Sequence, residues 1–370
     1  MKIVYFTHSL LSCWNHGNAH FLRGVLRELQ ARGHEVVACE RDGAWSLENL
    51  LRDHGHAGLE AFRHAYPELR ALIYDGMEGA AELAADADCV IVHEWNEPEL
   101  VARLGRERAA GAGYRLLFHD THHRAVSAPE EMRAFDLDGY DGVLAFGEAL
   151  AEVYRGWGWG NRVWVWHEAA DLRHFHPPIG AGGRNGLVWI GNWGDGERSE
   201  EIERFLLRPA AAAELTLDIH GVRYPDAAKA MLERYGARYH GWAANADTPA
   251  IFARHMATVH VPRRYYASVL PGIPTIRVFE ALACGIPLVS APWDDAEGLF
   301  RPGTDYLVAP DGDTMTAHLR ALARDPALRG ELARSGLDTI RKRHSCAHRA
   351  LELLAVLHQL APETAGRDAA

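Results

Sequence analysis

Residues 270–291 read LPGIPTIRVFEALACGIPLVSA: a turn, a helix-length apolar stretch with one carboxylate, Glu280, and an apolar run fit for a buried strand. The turn Gly272-Ile273-Pro274-Thr275 lies where the free amides of a helix N-terminus gather. Such a terminus attracts anions, because its N–H groups are unsatisfied and its dipole is positive. Glu280, one to two turns further in, is placed to accept hydrogen bonds from a sugar hydroxyl. Its neighbours Ile276, Phe279, Leu282 and Ala283 are apolar, so the carboxylate rides on a mostly buried helix, where it needs a partner. Phosphate at the turn and ribose at Glu280 make a nucleotide site. An ordinary αβ unit with a solvated glutamate is the competing reading.

After the apolar run 114–118 comes His119-Asp120-Thr121-His122-His123-Arg124. Histidines there suit acid–base work, metal ligation or hydrogen bonds to sugar hydroxyls. Their spacing matches no zinc pattern and thiolate partners are missing, so no structural metal is expected. His119, nearest the strand end, is the candidate to touch substrate; a histidine satisfied by local backbone is the alternative. Gly191-Asn192-Trp193-Gly194 follows the first strand pattern of the second half, and its glycines allow close backbone approach. Arg198 then opens a helix beside the place a phosphate would take. Of the adjacent Arg263 and Arg264 only one can face inward, and Arg263 is the candidate. On the first half, His16 and Gly17 precede a helix pattern, and Glu94 ends a strand pattern.

These residues meet only if the elements carry them to one place. Strand patterns at 2–6, 34–40, 88–94, 114–120, 141–147 and 161–169 alternate with helical ones up to a Pro/Gly-rich linker. A second series follows at 186–192, 214–221, 258–262, 286–291 and 305–310, and helices at 313–325, 327–343 and 346–360 close the chain. Such alternation predicts an α/β fold of two doubly wound, Rossmann-like domains. The boundaries read as 1–176, a linker 177–186, 187–345, and a C-terminal helix and tail, 346–370. Ligands bind open α/β sheets beyond the carboxyl ends of the strands. That rule selects the loops 7–18, 94–97, 119–124 and 147–149, facing 191–199, 221–224, 241–245, 262–275 and 292–298.

The 370 residues suffice for two domains, and 48% apolar content supports full cores. No stretch approaches the roughly 20 apolar residues that span a bilayer. The N-terminal MKIVYFTHSLLSC lacks signal-peptide features. Five scattered cysteines without a C-x-x-C pair read as reduced thiols in a cytoplasmic protein. Of the net charge of −11, residues 1–175 carry −10, with 17 Lys/Arg against 27 Asp/Glu. That half repels nucleic acid and anionic lipid, so the expected polyanion is a small nucleotide. No G-x-G-x-x-G follows the first strand, which argues against a pyridine-nucleotide dehydrogenase.

The stretch RVFEALACGIPLVSA resembles the E-A-x-A-C-G-x-P-L-V signature of retaining, nucleotide-sugar-dependent glycosyltransferases of the GT-B fold. YHGWAAN (239–245) is similar to that group's loop on the nucleotide base, and VWHEAADLRHFHPP (165–178) to its N-G-x-D-x-x-x-F-x-P segment. Residues 300–354 resemble its tail, and within the group the spore-maturation-protein (CgeB)-like glycosyltransferases are the most similar. The resemblance implies a donor site on Gly191, Asn192, Arg198, Gly241, Trp242, Arg263, Gly272, Ile273, Pro274, Thr275 and Glu280, with Glu280 on the ribose. The acceptor would lie opposite, near His16, Gly17, Glu94 and His122. The family's E-x7-E pair would place its first glutamate where this chain has Gly272, so that task falls here to backbone amides or another side chain. Catalysis is expected to rest on His119, Arg198 and Arg263, with no metal or cofactor, and the last helix to cross back to the first domain. The implied activity moves a sugar from a nucleoside diphosphate to a small-molecule, glycan or protein acceptor, with retention. A nucleotide-sugar epimerase of the same fold and an inactive sugar-nucleotide binder are the alternatives.

Overall fold

The computed structural model describes residues 1–159, 162–180, 183–194 and 196–360. The tail 361–370, the middle of the expected linker and the first residue of the strand expected at 161–169 lie outside the described residues. The first sheet holds β1 (Lys2–Phe6), β2 (Glu35–Arg41), β3 (Ala71–Tyr74), β4 (Cys89–His93), β5 (Arg115–Asp120), β6 (Gly142–Ala145) and β7 (Val163–Val165). The second holds β8 (Leu187–Ile190), β9 (Leu217–His220), β10 (Arg238–Tyr239), β11 (Ala257–His260), β12 (Leu288–Ser290) and β13 (Leu307–Val308). Their orders are β3-β2-β1-β4-β5-β6-β7 and β10-β9-β8-β11-β12-β13. All pairs are parallel; Val4 stands against Val37 on one side and Val90 on the other. Helices cover both faces, so the inner strands of the first sheet have apolar middles, as the VIV of β4 and the LLF of β5 show.

In each sheet the chain reverses its direction of travel once, between β1 and β4 and between β8 and β11. A crevice opens beyond the carboxyl ends at such a point, and here the two crevices face each other. The α/β reading with two Rossmann-like sheets is what the structure shows. It differs in two elements the sequence reading passed over. The helix α2 (Trp45–Ala65) is broken by Gly55 at φ 58°, which interrupts its period. The strand β3 lies at the sheet edge with Leu72 and Ile73 about half exposed, so it lacks a buried strand's pattern.

Two more helices matter to the site. Helix α3 (Ile276–Ala283) begins after Thr275 and stops at Gly285, whose φ of 60° makes it a left-handed cap. Seven of its eight residues are buried; Arg277 alone keeps access to solvent. Helix α4 (Cys346–Gln359) packs against α1 (Ala19–Ala31) of the first domain. The approach is close: a Cβ on Gly24 would come within 2.5 Å of Cys346 Sγ. Where the chain returns to the first domain, Ala170 N–H donates to His344 O (3.0 Å) and Cys346 N–H to Ala170 O (2.9 Å). Tyr266, Leu270 and Ile273 pack into the core of the first domain, so the halves share apolar surface. Among the described residues no helix is long and apolar enough to cross a membrane.

Candidate active site

The facing crevices enclose a cavity of about 860 Å³, lined from both domains. The second-domain wall is cationic. Arg198 is 8% exposed and points into it. Its Nη1 donates to Val261 O (3.0 Å) and its Nη2 to Asn192 O (2.7 Å), and the guanidinium lies over Trp189 at 5.0 Å. Among the described residues Nε has no partner and no carboxylate bonds this group. Burial, with Arg263 nearby, lowers its pKa to about 10, so it stays charged at neutral pH. Gly194, at φ 93°, makes the conformation possible, since a Cβ there would meet Arg198 Nε at 2.9 Å.

Arg263 also lines the cavity, while Arg264 turns outward to Glu201. Arg263 Nη1 donates to Glu197 Oε2 (2.8 Å), which His123 Nε2 approaches at 3.3 Å. Burial alone would raise the Glu197 pKa, but these two neighbours outweigh it and hold the carboxylate at about 2. Gly191, Asn192 and Thr275 line the same wall, as does Arg277, which the sequence reading did not single out. Trp242 stands in a smaller adjoining pocket that shares Asn192 and Arg277 with the main cavity. Gly241, Gly272, Ile273 and Pro274 line neither.

Glu280 is engaged otherwise than a ribose contact requires. It is fully buried and absent from the cavity wall. His20 Nδ1, from α1 of the first domain, lies 2.9 Å from Oε1, and Arg277 donates to Oε2. His20 Nε2 accepts from Asp171 N–H (2.8 Å), which leaves the ring's proton on Nδ1, pointed at Glu280. Both oxygens are therefore spent, and Glu280 presents Arg277 to the cavity instead of itself. Gly272 has φ 85°, and a Cβ there would come 2.8 Å from Glu297 Cγ. The space of a side chain at 272 is thus filled by Glu297, which accepts from Glu148 N–H at 2.9 Å and meets His167 Nε2 at 2.9 Å.

On the first-domain wall His16, Gly17 and His122 line the cavity, but His119 and Glu94 do not. His119 turns beneath the strand ends, 2% exposed, with Nδ1 on Tyr5 Oη and its ring packed on Trp166. Burial pushes its pKa down to about 3, and it is not among the residues that line the cavity. Glu94 turns under likewise and pairs with Arg124. Its neighbours Trp95, Asn96 and Glu97 face the cavity in its place.

Glu168, missed as a site residue, lines the cavity at 5% exposure with its carboxyl against the Ile276 amide at the start of α3. Burial first, and the Glu280 charge second, raise its pKa to about 8. It sat in plain view in the segment 167–171, but only the fold turns it toward α3. Among the described residues, no group of three or more His, Cys, Asp and Glu is arranged to hold a metal ion.

Residues 198–355 match a family model described as glycosyl transferase-like. No curated protein matches the chain by sequence. In three dimensions, 97% of the chain superposes on 99% of a sucrose-phosphate synthase from Thermosynechococcus elongatus, at TM-score 0.65 and 14% identity. The same share superposes on all of Anabaena HepE in complex with UDP, at TM-score 0.68 and 14% identity. An alpha-glucosyltransferase in complex with UDP and a 13-mer DNA containing a HMU base aligns over 97% of this chain and 99% of its own, at TM-score 0.69 and 13% identity. The chain therefore has the GT-B fold, two facing Rossmann-like domains, and the match to the glycosyl transferase-like model spans residues 198–355 of it.

Proposed function

We propose that this protein is a glycosyltransferase that moves a sugar from a nucleoside diphosphate to an acceptor hydroxyl, with retention and without a metal ion. The observation that carries the reading is Arg198: a buried guanidinium, aimed into the cavity, bonded to carbonyls and to no carboxylate among the described residues. Burying an unpaired cation is costly unless an anion arrives to match it. Arg263 and Arg277 flank the same space, and the amides at the start of α3 add their dipole. A diphosphate is the anion of that size and charge, and UDP is the nucleotide named in two of the similar structures.

In the proposed step the acceptor oxygen bonds to the anomeric carbon as the bond from that carbon to the phosphate oxygen breaks. The departing diphosphate takes the electron pair, and the acceptor's proton passes to it on the same face. Charge grows on the diphosphate as this happens, so Arg198 and Arg263 stabilise the transition state more than the bound donor. Glu280 acts through Arg277, and the five free thiols fit a reducing cytoplasm.

Calorimetry with UDP tests the reading. Wild type binds, and Arg198→Ala weakens binding at least tenfold, the loss of about 1.5–3 kcal/mol expected for a charge-assisted hydrogen bond. Unchanged affinity in the variant would refute the diphosphate assignment. Hydrolysis of a UDP-sugar without acceptor excludes an inert binder.

A further inference from the structure

The cavity's two walls differ in charge, and the difference specifies the second substrate. Resting on the reading that the second-domain wall holds the donor, we propose that the first-domain wall takes an uncharged pyranose as acceptor, stacked on Trp95 and hydrogen-bonded by His8, His16, His122 and Glu97.

Three observations carry this. The first is the state of the cations. On this wall Arg41 is spent on Glu97, and Arg124, beneath, is spent on Glu94. Both are thus matched by a carboxylate on their own wall, whereas the opposite wall gathers four cavity-lining arginines, Arg198, Arg223, Arg263 and Arg277. Of these, Arg263 and Arg277 are paired with Glu197 and Glu280, and Arg198 bonds no carboxylate among the described residues.

The second is the imidazoles. His8 and His16 meet Nε2 to Nε2 at 3.1 Å, and His122 stands edge-on to Trp95 at 5.2 Å. Burial is the main cause that presses all three below the usual histidine range, His16 to about 4. A neutral imidazole offers one donor and one acceptor, which is the complement of a hydroxyl and gives an anion no counter-charge. His8 Nδ1, His122 Nδ1 and Glu97 Oε2 are buried without partners among the described residues, so the wall holds polar atoms still to be satisfied. A purely apolar acceptor would bury them without partners, which is unfavourable.

The third is the flat apolar surface. The Arg124 guanidinium lies 4.0 Å from the Trp95 ring and fixes the indole from one side. Trp45, 49% exposed, adds a second indole at the rim. Aromatic faces beside hydroxyl-matching groups recognise the C–H face and the hydroxyl edge of a pyranose together.

The test uses the intact protein and saturation-transfer NMR with a fixed panel. Its neutral members are the methyl pyranosides of glucose, galactose, mannose and N-acetylglucosamine. Glucuronic acid and glucose 6-phosphate are the charged members, and octanol the apolar one. At least one neutral glycoside is expected to bind at least tenfold more tightly than both charged members and octanol. Trp45→Ala is expected to weaken it at least threefold, and Trp95→Ala tenfold. UDP titrated separately reports on the donor wall, so its failure to bind would overturn the donor reading alone. A charged member that binds as well as the best neutral one, or a panel in which no neutral glycoside binds, overturns the acceptor inference.

Discussion

Replacing Glu168 with Gln should make the protein more stable, by a margin that grows with pH. The carboxyl is buried at the start of α3 with Glu280 close by, and its pKa rises from the ordinary 4.5 to about 8. A group whose folded value lies above its unfolded one contributes stability that is complete below about pH 4.5 and is lost as pH rises through 8. Each pH unit in that window is worth about 1.4 kcal/mol. The wild type therefore forfeits under about 1 kcal/mol at pH 5, about 3 kcal/mol at pH 7 and up to about 5 kcal/mol above pH 8. A glutamine of the same shape carries no charge to bury and forfeits none of this. With about 2.1 cal/mol/K of unfolding entropy per residue, 3 kcal/mol corresponds to a Tm increase of about 4 °C at pH 7. Differential scanning calorimetry of both proteins at pH 5, 6, 7 and 8 reads the margin directly. A Tm difference that stays constant across that range would show that Glu168 does not hold its proton, and the electrostatic account of this corner would fall.

Glu280→Ala leaves His20 and Arg277 without their shared partner, a buried-pair disruption of about 3 kcal/mol. Its Tm should fall by several degrees in calorimetry without ligand, and an unchanged Tm would contradict the buried placement. Gly24→Ala puts a methyl group into Cys346 Sγ, where overpacking costs about 1–3 kcal/mol. Proteolysis should then release α4 before the rest of the chain, and simultaneous loss would argue against that contact as the weak point.

The sheets were legible because strands covered on both faces must be apolar, so KIVYF and CVIVH announce themselves and the loops after them follow by rule. What a loop residue faces was not legible, because a tertiary partner decides it. Glu94 directly follows β4 and His119 is the last residue but one of β5, yet Arg124 and Tyr5 draw them under, and Trp95 and His122 take the cavity. Glu280 could be read as a buried carboxylate in need of a partner, but that partner, His20, lies 260 residues away. Position 272 was readable as an anomaly. Its cause, a left-handed turn packed on Glu297, needed the fold.

The return of the last helix to the first domain has a consequence for motion. The chain passes between the domains twice, and Ala170 and Ser345 lie side by side in a short parallel bridge at those passages. Two adjacent passages act like two pins on one door: opening the cleft must bend both together, about the line that joins them, while sliding or twisting the halves would shear the bridge. Cutting between Arg343 and Ser345 would remove one pin and leave every residue of the cavity wall in place. Any opening of the cavity is thus confined to a single swing, set by residues that do not line it.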